Sequence, residues 1–88
     1  MGSRHLPCVP RYFFDTRDGA TFIEDDEGQE MLDLESVRVE ATRSLAELAR
    51  DVLPGSLRRV LTVEVRQGKW PLMKLCLTFE AILLTKAA

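Results

Sequence analysis

A single histidine, His5, and two cysteines, Cys8 and Cys76, leave this sequence short of the side chains on which nucleophilic and metal-assisted chemistry depends. A Ser-His-Asp or Cys-His arrangement would have to recruit His5, which lies ahead of any recognisable element. His5 and Cys8 form an H-x-x-C, but zinc needs further ligands and the only other thiol is Cys76. The two cysteines are far apart and form no C-x-x-C, so they read as reduced thiols rather than a disulfide. No apolar run approaches the roughly 18 residues that span a bilayer. The start, "MGSRHLPCVP", has no apolar core to serve as a secretory signal, and Leu6 breaks the myristoylation pattern. Phosphate loops and dinucleotide fingerprints are missing too, since "GSLRR" falls short of either. Together these absences predict a cytoplasmic, non-enzymatic protein with no catalytic residue, metal, cofactor or membrane segment.

What remains is the composition of an ordinary globular domain, 45% hydrophobic and 30% charged. A chain of 88 residues makes one domain, which buries only about 60–65% of its unfolded surface. Its net charge is −2, but residues 1–53 carry six Lys/Arg against twelve Asp/Glu and residues 54–88 carry six against two. Either the halves lie side by side and neutralise each other, or the second half presents a basic face to an acidic partner. The sequence pI of about 5.3 favours the first and argues against nucleic acid.

"RYFFDTR" reads as an aromatic strand, and Asp18–Gly19 as the centre of a type I′ hairpin turn. "ATFIE" returns as a second strand and "DDEG" turns again. "QEML" is then a short extended piece or the same strand resumed after a bulge. Asp33 is a good N-cap for Leu34, Val37, Ala41, Leu45, Leu48 and Val52, whose spacings of 3, 4, 4, 3 and 4 draw one stripe on a helix. Arg43 and Glu47 form an i,i+4 pair, and Pro54–Gly55 stops the helix. "RRVLTVEVR" and "PLMKLCLTFE" alternate apolar and polar around a "QGK" turn, giving a second hairpin. The order ββαββ predicts an α+β fold, a four-stranded antiparallel sheet with one helix packed on one face. Residues 10–80 form the domain, 1–9 a flexible N-terminal extension and 81–88 an apolar C-terminal tail.

The stretch "FFDTRDGATFIEDDEG" invites a metal reading, with six acidic residues behind two phenylalanines. No frame of it fits an EF-hand loop, however, and its carboxylates lack the alternating spacing that aims oxygens at one ion. Asp18, Asp25 and Asp26 fall at turns, where Asp bonds nearby backbone. Asp15 and Glu24 could face each other across the hairpin, as carboxylates do on any wet hairpin.

One helix cannot cover both faces of the sheet. Tyr12, Phe13 and Phe14 are consecutive, so Phe13 points away from its neighbours, and Ile82, Leu83 and Leu84 add apolar surface on both sides of the tail. Trp70, between Lys69 and Pro71, either anchors a partner or folds back over the core edge. Phe13, Trp70, Ile82, Leu83 and Leu84 are therefore the candidate interface, for a homodimer or an unidentified protein partner. Arg58, Arg59, Arg66 and Lys69 are the candidate basic patch of a nucleic-acid-linked alternative.

"PRYFFDTRDG", "DDEGQEMLDL" and the helix opening "ESVRVEA" resemble a family of short alphaproteobacterial proteins, common in rhizobia and known only as a domain of unknown function. The resemblance runs from Pro10 to about Phe79, carried by the aromatic strand, Asp18–Gly19, Asp26–Glu27–Gly28 and the Leu34–Ala41 helix start, with a looser match in the later hairpin. It implies that residues 1–9 are an extension or cloning remnant, and it implies no activity. A weaker likeness is to HicB-type antitoxins, which also place a hairpin before such a helix; it suggests a fold alone.

Overall fold

The computed structural model describes residues 9–85. The chain runs β1 (Arg11–Asp18), β2 (Thr21–Ile23), β3 (Gln29–Glu30), α1 (Leu34–Val52), β4 (Arg58–Gln67) and β5 (Trp70–Glu80). It is an α+β fold, one helix on an antiparallel sheet of order β2-β1-β4-β5, with β3 also paired to β1. The sheet has five strands rather than four because the return arm of the first hairpin is interrupted. β2 pairs with Thr16–Asp18, residues 24–28 bulge away, and β3 resumes against Arg11–Tyr12.

Both tight hairpins place glycine first in the turn. Gly19 and Gly68 each have φ of +60°, and among the described residues only glycines have positive φ. The first turn is thus centred on Gly19–Ala20, one residue later than a type I′ turn at Asp18–Gly19. A type II′ turn needs positive φ only at its first central position, so Asp18 is free to end β1.

Helix α1 starts where its local chemistry says it should. Asp33 is extended and its Oδ1 accepts the N–H of Ser36 at 2.7 Å, with Glu35 in the first turn. At the other end Leu53 N–H reaches Ala49 O, the Ser56 hydroxyl donates to Val52 O at 2.6 Å, and Gly55 takes φ of +86°. Arg43 turns back to Glu40 at 2.7 Å rather than forward to Glu47. The helical stripe engages the sheet from Val37 onward; Leu34, in the first turn, stays exposed.

Register assigns the faces. Phe14 lies opposite Val65, Thr16 opposite Val63 and Asp18 opposite Leu61; across the next seam Val65, Val63 and Leu61 meet Met73, Leu75 and Leu77. These residues share the helix side, where Tyr12, Phe14, Val37, Ala41, Val63 and Val65 form the buried core. Met31, Leu45, Met73 and Leu75 pack at its margin, only partly buried. α1 lies mainly over β4, so β5 at the edge is covered less well than the centre. The other face of the sheet carries no helix among the described residues and displays Phe13, Asp15, Arg17, Glu64, Arg66 and Lys74.

Candidate functional site

The acidic stretch of the sequence is organised by an arginine far away in it. On the open face Asp15 is 5% exposed, and its carboxylate receives Arg66 Nε at 2.8 Å and the Asp25 N–H at 2.9 Å. The same guanidinium donates to Glu24 Oε2 at 3.3 Å, to Asp25 O at 2.9 Å and to Gly68 O at 3.0 Å, while lying 4.5 Å over the Phe13 ring. Arg66 therefore ties the bulge of the first hairpin to the turn of the second. The proximity of carboxylates raises its pKa above the ordinary arginine value, led by the hydrogen bond to Asp15.

Asp25 fills the gap that the bulge leaves in the sheet. Its carboxylate accepts the N–H of Phe14 at 3.0 Å, of Glu27 at 3.0 Å and of Gly28 at 3.1 Å. Burial opposes ionisation here, but those three N–H groups and the nearby Arg66 charge outweigh it and hold the Asp25 carboxyl below its ordinary pKa. Gly28 has φ of +74°, and a Cβ there would meet Arg11 Cγ and Phe13 Cε2 at 2.9 Å, so this bulge admits only glycine at that position without a shift. Asp15, Glu24 and Asp25 are thus spent on hydrogen bonds within the fold. Among the described residues no group of three or more His, Cys, Asp or Glu is placed to hold a metal ion. His5 and Cys8 lie outside the described residues, as does the predicted extension apart from Val9.

The candidate basic patch is divided between the two ends of β4. Arg58 pairs with Glu80 at 3.1 Å and Arg59 with Asp18, while Arg66 and the turn residue Lys69 sit at the opposite end. Arg59 and Arg66 reach from the basic half of the chain to carboxylates of the acidic half, and Arg17 answers in the other direction to Glu64 at 3.6 Å. An open concavity of about 560 Å³ beside Arg66 is bordered by Lys69, Pro71, Leu72 and Lys74.

The candidate interface residues are also dispersed. Phe13 is half-buried under Arg66, whereas Trp70 is 75% exposed at the start of β5 and does not fold over the core. Ile82, Leu83 and Leu84 follow the far end of β5, all strongly exposed. What joins Trp70 to them is β5 itself, an outer strand whose second edge is unpaired among the described residues. Its helix-side residues Met73, Leu75, Leu77 and Phe79 are half-buried. Beside Phe79 an apolar groove runs along Ala46, Ala49, Leu53 and Pro54 at the end of α1.

A single helix on an antiparallel sheet, with its open face closed by a charged network, defines a small α+β domain of the helix-on-sheet class. Residues 11–69 match the family described as a domain of unknown function, DUF6894, and the chain belongs to that family. The match covers β1 through β4 and ends at Lys69, before β5, short of the Phe79 reached by the sequence resemblance. No curated protein and no solved structure matches the chain. No helix among the described residues is long and apolar enough to cross a membrane.

Proposed function

We propose that this domain is a non-enzymatic module of the cytoplasm that acts by protein–protein contact and self-associates as a homodimer. The observation that carries the reading is β5, an eleven-residue outer strand whose apolar stripe is half-covered and whose end runs into exposed Ile82, Leu83 and Leu84. A long edge of this kind offers unpaired N–H and C=O groups together with apolar area, the combination that strand-to-strand association uses. The other edge is unsuited to it, being broken into β2 and β3 and plugged by Asp25. The exposed thiol of Cys76 suits a reducing compartment.

Sedimentation equilibrium of the full chain at low micromolar concentration tests the reading. The wild type should sediment as a dimer, and Ile82→Asp with Leu84→Asp should weaken it without lowering the monomer's helix content. A wild type that stays monomeric at every concentration would remove self-association and direct attention to a different protein partner.

A nucleic-acid-linked, antitoxin-like role is the second reading, favoured by exposed Trp70 between Lys69 and Pro71, with Lys74 at the adjoining concavity. It would show as binding that falls steeply with salt and is lost in Lys69→Glu. The carboxylate partners of Arg58, Arg59 and Arg66 make it the weaker of the two.

A further inference from the structure

The self-association reading can be deepened to a register, because β5 protects only part of its edge. Pro71 and the bulge that leaves Leu72 without an opposite residue guard the beginning of the strand, where a second chain would fail to pair. From Lys74 to Glu80 the sequence KLCLTFE has no proline, glycine or bulge. Ala81 N–H bonds Leu57 O on the β4 side, so by strand alternation the even-numbered residues 74, 76, 78 and 80 point their N–H and C=O groups outward.

We infer that two copies join β5 to β5 in antiparallel fashion about a two-fold axis at Leu77, setting Lys74 of each copy opposite Glu80 of the other. This inference rests on the self-association reading. Leu77 is the midpoint of the unguarded stretch, and pairing there matches Cys76 with Thr78 and Leu75 with Phe79. The even-numbered pairs are the hydrogen-bonded ones, and the odd-numbered pairs bring apolar side chains into the closer non-hydrogen-bonded spacing on the helix side. Leu75 of the second copy then falls beside Phe79, at the apolar groove along Ala49 and Leu53. Sliding the pair by two residues, to an axis at Cys76, sets Lys74 against Thr78 and Glu80 against Leu72, so neither charge meets an opposite one across the seam and Glu80 keeps only Arg58 of its own chain. Sliding by one is excluded, because it would turn each copy's apolar stripe onto the opposite face.

The experiment is a charge swap read by sedimentation equilibrium, with circular dichroism of each variant to show that the monomer folds. Lys74→Glu faces Glu80 of its copy and Glu80→Lys faces Lys74 of its copy, so each alone should dimerise roughly tenfold more weakly than the wild type. An equimolar mixture of the two restores both pairs and should recover the dimer. The double variant K74E/E80K, with the wild-type net charge, should recover it as well, which a general charge effect would not require. If the wild type dimerises and both single variants match it, this register is wrong and self-association stands. If the wild type is a monomer throughout, the self-association reading falls and the register with it.

Discussion

Removing the Arg66 guanidinium strands Asp15, whose side chain is 7% exposed against 24% for Arg66 itself. A carboxylate left out of water without its counter-charge is far costlier than a lost surface pair, so Arg66→Ala should destabilise the fold by about 3 kcal/mol in urea unfolding. Arg17→Ala, which frees a much more exposed pair, should cost under about 1 kcal/mol. Asp25 makes a separate prediction. Its folded pKa lies below its ordinary value, so its contribution is present at pH above about 4 and is lost as the pH falls through the folded value. Asp25→Asn, which cannot accept with its amide nitrogen, should be clearly less stable than wild type at pH 7. The gap should narrow toward pH 3, and denaturant midpoints at the two pH values measure it. The tie between Asp15 and Arg66 is not legible in the sequence, where the two stand 51 positions apart. Only the habit of Asp to bond backbone at turns pointed to Asp25.

Elements were legible wherever their determinants are local. α1 follows from a cap, a stripe and a Pro-Gly stop within one stretch of chain, and Asp33→Ala should cost about 1 kcal/mol by removing the Ser36 contact, visible as a lower thermal midpoint. Two details escaped because sequence supports competing answers. "DG" permits a turn at either of two positions, and Gly19 chose the one where a single positive φ suffices. Arg43 has a glutamate both before and after it, and the structure selects Glu40. The bulge at 24–28 was one of two readings of "QEML", decided by the carboxylate that completes the Phe14 N–H.

At the scale of the molecule, helix-on-sheet packing was readable from element order and alternation, but strand order was not. Nothing local says that β1 sits beside β4; the contacts between them, the backbone ladder, the Phe14–Val65 core pair and the Asp15–Arg66 ion pair, join residues far apart in the chain. The same applies to the interface residues, which the sequence grouped by type and the fold separates, with Phe13 on β1, Trp70 at the start of β5 and Ile82, Leu83 and Leu84 beyond its end. If β5 joins two copies, folding and association are linked, and the thermal midpoint should rise with protein concentration. Calorimetry over a hundredfold concentration range would show it, whereas a monomer would give a fixed midpoint.

The span of Arg66 also bears on how the chain is made. Strands β1 to β3 and the helix leave the ribosome first, with Asp15, Glu24 and Asp25 gathered in one hairpin and their counter-charge not yet synthesised. Until β4 emerges, the bulge has nothing to hold its carbonyl and the core lacks Val63 and Val65. The domain is therefore built to fold late, as a whole, and a nascent chain halted before Arg66 should remain open to proteases.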